Sequence, residues 1–169
     1  ACRRLSGRMH VYSTVNPVPE EFMAREQSNC LAGNWRAVKD DLADIEVRRI
    51  ESVRDDDIPE ERFFIIDIDP KRHSGISATD EEAAEAEKVA RRIAEVFGEC
   101  GISYEMIFSG NGYYVLVPMV PCAPDPEHRK RVLDRLAEYY SSEKADLDVT
   151  VANLSRILRV PGTLNVKGT

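Results

Sequence analysis

Apolar and polar positions along the chain follow a clear pattern from the middle of the sequence onward. Phe63–Asp69 is a short apolar run that ends in alternation, which predicts a buried strand. Thr79 and Glu82 then match a capping box, and apolar residues continue at helical spacing as far as Gly98. We therefore expect a strand followed by a long amphipathic helix.

A hairpin, a second helix and a fourth strand are expected next. Ile102–Phe108 and Tyr113–Met119 are apolar runs on either side of the tight turn Ser109–Gly112, a pattern typical of a hairpin. Pro124–Pro126 opens a helix with its aspartate as the expected cap, and Ala145–Ala152 predicts a strand. The order β-α-β-β-α-β is that of a split βαβ sheet, so the expected fold class is α+β with an RRM-like (ferredoxin-like) sheet.

The first part of the chain is less regular. Met9–Val15 and Val47–Val53 have the composition of strands, and Trp35–Ala43 that of a helix. We expect residues 1–61 to form a smaller α/β unit packed on the sheet unit of residues 62–169, the two together making one core. Because the sequence has no initiator Met and stops shortly after a dense motif, we expect it to be a piece of a longer protein.

The overall composition is that of a water-soluble globular protein, with 43% hydrophobic and 31% charged residues. No apolar run approaches the roughly 18 to 20 residues that span a membrane, and the N-terminus lacks a signal-peptide stretch. We therefore expect a cytoplasmic protein with no membrane partner. The four cysteines form no CxxC pair and are expected to be reduced and mostly buried.

The net charge of −7 taken alone argues against nucleic-acid binding, because phosphate contacts need Lys and Arg. The distribution of charge weakens this objection. Acidic residues concentrate on the predicted helices, while basic residues gather at Arg48 and Arg49, at Lys71 and Arg72, and toward the C-terminus. A protein that binds nucleic acid through metal ions must also carry carboxylates.

Two aspartates at the end of the first predicted strand are the strongest candidates for chemistry. Asp67 and Asp69 are two residues apart, so their side chains leave the same face of a strand. Two ionised carboxylates side by side repel, and a divalent cation relieves that repulsion. Hard oxygen ligands suit Mg²⁺ or Mn²⁺. The alternative for an isolated DxD motif is a solvated strand end.

Topology strengthens the metal hypothesis. In a split βαβ sheet the fourth strand lies antiparallel beside the first, so Asp146 and Asp148 should lie next to the DxD motif. Four carboxylates on one patch of a sheet fit two-metal phosphoryl transfer. A triphosphate also needs cations and hydrogen-bond donors. The candidates are Lys71, Arg72 and His73 after the DxD motif, and Ser155, Arg156 and Arg159 after the fourth strand.

Three blocks together resemble the archaeo-eukaryotic primase superfamily, and most of all the primase-polymerases of plasmids, phages and other mobile elements. The blocks are FIIDIDPKR (Phe64–Arg72), FSGNGYYVLVP (Phe108–Pro118) and DVTVANLSRILRVPGTLNVKG (Asp148–Gly168). They lie in the family's order and spacing, and Asn16-Pro17 looks similar too. Each block alone is weak evidence for the resemblance, whereas the three together are strong evidence.

The resemblance implies a DNA primase or DNA polymerase core that joins nucleotides on a template. It implies that Asp67, Asp69 and Asp148 bind Mg²⁺ or Mn²⁺ at a two-metal site. It also implies contacts to the incoming nucleotide from the turn of the second block (Ser109, Gly110, Asn111 and Gly112) and from Arg156 of the third, with Lys167 as a further candidate. The expected partners are a DNA template and primer, a dNTP or NTP, and a helicase domain or partner in the full-length protein.

Tyr114 departs from the family pattern, which usually has histidine at this position to contact the incoming nucleotide. Tyrosine can donate a hydrogen bond to a phosphate but carries no positive charge. A nucleotide- or nucleic-acid-binding module of the same fold, with a weakened catalytic site, is therefore the alternative hypothesis.

Two other classes are disfavoured. A nucleotide cyclase would need a different turn from Ser109–Gly112. An RNA-recognition domain would present stacking aromatics on its first strand, where this chain has Asp67 and Asp69.

Overall fold

The computed structural model describes residues 7, 11–23, 53–73 and 75–165. Within these ranges the strands are β1 (Tyr12–Thr14), β2 (Glu61–Pro70), β3 (Glu105–Phe108), β4 (Tyr113–Cys122), β5 (Ala145–Leu147) and β6 (Ile157–Arg159). The helices are α1 (Glu20–Met23), α2 (Asp80–Glu99) and α3 (Pro126–Tyr140), with short 3₁₀ turns at Asp55–Asp57 and Val149–Ala152.

Four strands form an antiparallel sheet in the order β3-β4-β2-β5. With α2 and α3 this is the predicted β-α-β-β-α-β arrangement, and the predicted α+β fold is confirmed. The fourth strand of the unit, β5, lies antiparallel beside β2, with Asp146 opposite Asp69.

Both faces of β2 are covered. Ile66 and Ile68 are fully buried on one face, toward the helices, while Ile65 is fully buried on the other. Ile65 belongs to the same core as Leu158, which lies in β6, and Val15, which directly follows β1, and these two strands form a two-stranded ribbon. The end of β2 therefore lies between a helical layer and a ribbon, which places its aspartates on the ribbon side.

The two long helices begin where the sequence predicts. The Thr79 hydroxyl accepts a hydrogen bond from Glu82 N at 3.2 Å, and the Glu82 carboxylate accepts one from Thr79 N at 2.9 Å, so the capping box is confirmed. Asp125 caps α3 by accepting from His128 N at 2.8 Å, with Pro126 in the first turn. No helix in the described ranges is both long enough and apolar enough to cross a membrane.

The predicted strand Ala145–Ala152 is wrong beyond its third residue. β5 ends at Leu147, and a 3₁₀ turn follows because Asp148 Oδ1 accepts hydrogen bonds from Thr150 N at 2.9 Å and from Thr150 Oγ1 at 2.6 Å. β6, and hence the ribbon with β1, was not predicted.

Several expectations on the first 61 residues lie outside the described ranges. These include the predicted helix 35–43 and all but the last residue of the predicted strand 47–53. Cys100 and Cys122 are free but exposed, so the expectation of buried thiols is wrong for these two.

Candidate active site

Asp67 and Asp69 lie on one face at the end of β2. Asp67 is 6% exposed and lies opposite Tyr114 of β4, whereas Asp69 is exposed and lies opposite Asp146 of β5. Hydrogen bonding along both edges of β2 fixes the backbone here, so alternation determines where the two carboxylates point. The first carboxylate is buried at the base of the site and the second lies toward solvent.

Adjacent strands bring Asp148 next to Asp67. The backbone N–H of Asp148 donates to the carbonyl of Asp67 at 2.9 Å, as a continuation of the β2–β5 ladder. One oxygen of Asp148 caps the 3₁₀ turn that follows, and the other faces Arg156. Asp67 and Asp148, which are 81 positions apart in the sequence, therefore both contact Arg156.

Arg156 bridges these two carboxylates. Its Nη2 lies 3.4 Å from Asp67 Oδ2 and 3.4 Å from Asp148 Oδ2. The Arg156 side chain is 30% exposed, so it reaches the carboxylates from the open side of the site. Both contacts are long for charge-assisted hydrogen bonds, whose usual distances are about 2.7–2.9 Å.

Asp67 is electrostatically unusual. Burial raises its pKa to about 7, and the neighbouring negative charges of Asp69 and Asp148 act in the same direction against the opposing effect of Arg156. The positive charge of Arg156 therefore does not balance the negative charges of the neighbouring aspartates.

A polar cavity of about 480 Å³ opens above the aspartates. Asp67 and Asp69 lie in its wall, Asp148 does not, and Arg156 contributes the cation nearest the carboxylates. The lining comes from β1, β2, the hairpin turn and the segment after β5: Tyr12, Asp67, Asp69, Arg72, Ser109, Asn111, Tyr114, Asn153, Ser155, Arg156, Ile157 and Asn165.

The Ser109–Gly112 turn forms one wall of the cavity and is held by its own hydrogen bonds. Ser109 Oγ accepts from Gly112 N at 3.0 Å and donates to Gly112 O at 3.0 Å. Asn111 Oδ1 accepts from Ala78 N at 2.9 Å, which ties the turn to the start of α2. Gly112 has no room for a side chain, because a Cβ there would lie 2.3 Å from the carbonyl oxygen of Ile68. These contacts give the turn a structural role beside its position in the cavity wall.

Tyr114 lines the cavity beside the aspartates. Burial raises the pKa of its hydroxyl, and the charges of Asp67 and Asp69 raise it further. The hydroxyl is therefore a neutral donor at any physiological pH. Tyr113, its neighbour on the strand, points to the other face and donates to Glu87 Oε2 on α2 at 3.2 Å.

The predicted basic residues lie in different surroundings. Arg72 lines the cavity and donates through Nη1 to Ile76 O, and its buried Nε has no hydrogen-bond partner in the part of the chain that the structure describes. Lys71 instead contacts Asp146 Oδ1 at 3.1 Å and Ser142 O at 2.9 Å, outside the cavity lining. Lys71 and Asp146 therefore neutralise each other at the sheet edge.

Arg159 does not line the cavity, but it contacts two residues that do, Tyr12 and Asn165. It is 6% exposed, its guanidinium lies 5.2 Å from the centroid of the Tyr12 ring, and its Nη2 donates to Asn165 Oδ1 at 3.1 Å. It ties the ribbon to the chain that follows β6. Lys167 lies outside the described residues.

Ser155 lines the cavity, but its hydroxyl is bonded to Asp55, and sequence analysis did not identify this aspartate. Tyr12, Asn153 and Asn165 are further lining residues that it missed. Asn153 carries a buried Oδ1 with no hydrogen-bond partner. Asn16, noted in the sequence with Pro17, accepts from Arg62 N at 3.0 Å and Phe63 N at 3.2 Å, so it acts on the backbone of β2.

The metal that the sequence implies would have to bind at the carboxylates around Asp67. Among the described residues, no three His, Cys, Asp or Glu side chains are grouped closely enough to form a metal centre. The donor chemistry is nevertheless suitable, since Asp67 is a buried carboxylate whose charge is undercompensated and Asp69 is beside it. The third carboxylate, Asp148, is engaged by Arg156 and Thr150.

The chain is distantly similar to solved structures. No protein-family model matches the chain, and no curated protein matches it. Among solved structures, the chain is similar to the polymerase domain of Mycobacterium tuberculosis Ligase D in complex with DNA, with 20% sequence identity and a TM-score of 0.47. The match covers 66% of this chain and 42% of that chain, so this chain spans less than half of the matched chain. At this level of similarity we base the functional proposal on the residues of the site.

Proposed function

We propose that this chain is the catalytic core of a DNA primase-polymerase, which transfers a nucleotide from a nucleoside triphosphate to a 3′-hydroxyl on a DNA template. The observation that carries the proposal is the meeting of Asp67 and Asp148 across β2 and β5, under a polar cavity that also contains Asp69 and Arg72. The three sequence blocks that resemble primase-polymerases all contribute residues to this cavity wall or to its base.

Asp67 and Asp69 would hold Mg²⁺ or Mn²⁺, with Asp148 as the further ligand once Arg156 gives up its contact. A bound divalent ion would polarise phosphate oxygens and lower the pKa of the attacking hydroxyl. The pKa of about 7 at Asp67 supports this assignment, because a buried and undercompensated carboxylate is stabilised by a cation.

The cationic side chains supply the other half of the site. Arg72 and Arg156 line the cavity and present guanidinium groups suited to phosphate oxygens. The Nε of Arg72 is a buried donor with no acceptor among the described residues, and a phosphate oxygen would satisfy it. In the reaction a bond forms between the 3′ oxygen and the α-phosphorus, the bond from the α-phosphorus to its bridging oxygen breaks, and pyrophosphate leaves.

Primer extension tests the proposal. The purified protein is incubated with Mn²⁺ or Mg²⁺, dNTPs and a primed DNA template, beside Asp67→Ala and the matched control Asp146→Asn. We expect template-dependent extension by the wild type and by Asp146→Asn, because Asp146 pairs with Lys71 outside the cavity lining. Extension that survives in Asp67→Ala would contradict the proposal.

A second candidate is a nucleotide-binding module without transferase activity. The position of Arg156 between Asp67 and Asp148 favours it, because a guanidinium already supplies positive charge there. Tyr114 in place of the usual histidine points in the same direction. Binding of dNTP by the wild type without extension at any metal concentration would support this candidate over the first.

A further inference from the structure

The segment that carries Arg156 is held by a residue far away in sequence. Asp55 Oδ1 accepts two hydrogen bonds from Ser155, one from its backbone N at 2.9 Å and one from its Oγ at 2.6 Å. The backbone of Leu154 also lowers the pKa of Asp55. One carboxylate therefore holds the residue directly before Arg156 by two hydrogen bonds.

Two other contacts hold the same segment. Asn16 Nδ2 donates to Leu154 O at 3.4 Å, and Val15 N donates to Arg156 O at 2.9 Å. Leu154 is buried, with 3% exposure. The backbone of this segment is thus pinned on both sides, and the Arg156 side chain extends from it to the aspartates.

Asp55 is suited to this task. It begins a 3₁₀ turn that is closed by a hydrogen bond from Arg54 N to Asp57 Oδ2 at 2.8 Å. Burial alone would raise the pKa of Asp55, but the hydrogen bonds from Ser155 and Leu154 outweigh it and lower the pKa below its ordinary value. The carboxylate stays ionised, so its hydrogen bonds to Ser155 are charge-assisted.

We infer that Asp55 is a positioning residue for nucleotide binding, which acts by fixing Ser155 so that Arg156 is aimed at the carboxylate cavity. The inference rests on the proposed function, in which Arg156 contacts the triphosphate. Asp55 itself does not line the cavity, so it reaches the substrate only through Ser155 and Arg156. It also means that the Ser155 hydroxyl anchors the segment and is not a phosphate donor.

The size of the effect follows from geometry. Loss of the anchor lets the Arg156 backbone move, and a misplacement of about 1 Å at a catalytic site costs about 100-fold in rate. Because Asn16 and Val15 still hold the segment, we expect a smaller loss of about 10-fold in affinity for a triphosphate. Asp55→Asn keeps an acceptor oxygen for Ser155, so it should restore most of the affinity lost in Asp55→Ala.

The test compares Asp55→Ala, Ser155→Ala and the rescue variant Asp55→Asn with the matched control Asp56→Ala, an exposed neighbour in the same turn. The first readout is the NMR signal of the Arg156 Nε–H, recorded without ligand. The second is the affinity for inorganic tripolyphosphate in the presence of Mg²⁺. Ser155→Ala removes one hydrogen bond and leaves the backbone contact, so it serves if Asp55→Ala does not fold.

Support requires that the Arg156 signal moves in Asp55→Ala but not in Asp56→Ala, and that tripolyphosphate affinity falls with it. The double variant Asp55→Ala/Arg156→Ala should then bind no more weakly than Arg156→Ala alone, because both changes remove the same contact. An unmoved Arg156 signal, or additive losses in the double variant, would overturn the inference. If the signal moves but the wild type binds no tripolyphosphate, the proposed function fails while the placement of Arg156 by Asp55 stands.

Discussion

Each end of β2 has a buried carboxylate near an arginine, but the two arginines differ in exposure and in how many acids they contact. At the start of the strand, the side chains of Glu61 and Arg129 are only 4% and 2% exposed and lie 3.5 Å apart. Near its end, Asp67 is just as deeply buried, but Arg156 is 30% exposed and shared with Asp148. One end carries a buried acid–base pair, whereas the other carries a group of acids contacted by the partly exposed Arg156, with Arg72 also in the cavity wall.

Arg129 makes several contacts within the protein, although its Nη2 and Glu61 Oε1 are buried and have no hydrogen-bond partner among the described residues. It donates to Phe63 O and Ala152 O, each at 3.2 Å, and lies 4.9 Å from the centroid of the Phe64 ring. Such a pair joins α3 to β2 and to the 3₁₀ turn. The excess of negative charge around Asp67 has no structural purpose of this kind. The difference indicates that the first end stabilises the fold and the second is suited to bind a cation.

The largest expected effect on stability comes from opening the buried acid–base pair. Arg129→Met leaves Glu61 charged and unpaired in the core, so we expect a loss of about 3–5 kcal/mol in the free energy of unfolding. Urea denaturation at pH 7 measures it. The double variant Glu61→Gln/Arg129→Met removes the unpaired charge and should recover part of the loss. A loss below about 1 kcal/mol in the single variant would contradict the assigned structural role.

At the other end of β2, replacing the buried acid should increase the stability of the fold. The folded state keeps the Asp67 proton up to a pKa of about 7, while the unfolded chain loses it near 3.8, so Asp67 lowers stability progressively as pH rises from about 4 to 7. Asp67→Asn cannot ionise, and in metal-free buffer at pH 8 it should be more stable than the wild type by about 2–4 kcal/mol. Denaturation at several pH values in EDTA tests this. Wild-type and variant curves that run parallel from pH 4 to 8 would refute it.

Gly112 tests how tightly the chain is packed against the end of β2 that carries the aspartates. A Cβ there meets the Ile68 carbonyl oxygen at 2.3 Å, between the two aspartates of β2, and backbone cannot move away cheaply. Gly112→Ala should therefore cost about 1–3 kcal/mol. Gly98→Ala is the control, since nothing lies within 4 Å of a Cβ at that helical position and a gain of about 0.5–1 kcal/mol is expected. Thermal unfolding of the two variants should move in opposite directions.

The smallest expected effect concerns the tyrosine beside the aspartates. Tyr114→Phe removes one neutral donor from the cavity, which corresponds to about a 2- to 10-fold loss in kcat/KM for extension. Tyr113→Phe is the matched control, because that hydroxyl contacts Glu87 on the opposite face. Because the pKa of Tyr114 is raised, its ionisation should not appear in the activity profile below pH 9. Equal losses in both variants would show that the Tyr114 hydroxyl has no special place in the site.

Local chemistry explains which parts of the fold were predictable. The periodicity of β2 and α2, the Thr79 capping box and the Asp125 cap act over a few residues, so they can be found in the sequence alone. The end of β5 was missed because one side chain, Asp148, turns the chain by bonding to Thr150 in competition with the strand. β1 lies within the predicted strand Met9–Val15, but β6 and its pairing with β1 were missed, because a three-residue strand carries almost no periodicity.

In the candidate site too, some features could be predicted from the sequence and others could not. The position of Asp148 beside Asp67 follows from topology, so the spatial expectation could be made from the order of elements. The bond between Asp55 and Ser155 joins residues 100 apart, and no local pattern predicts it. The pairing of Lys71 with Asp146 likewise depends on which side of the sheet edge each side chain faces.

Mn²⁺ binding tests the central claim most directly, because it needs no substrate and no turnover. Electron paramagnetic resonance titration should show that the wild type and Asp146→Asn bind Mn²⁺, and that Asp67→Asn loses this binding. Equal Mn²⁺ affinity in the wild type and Asp67→Asn would contradict the claim that the acids at the end of β2 hold a cation.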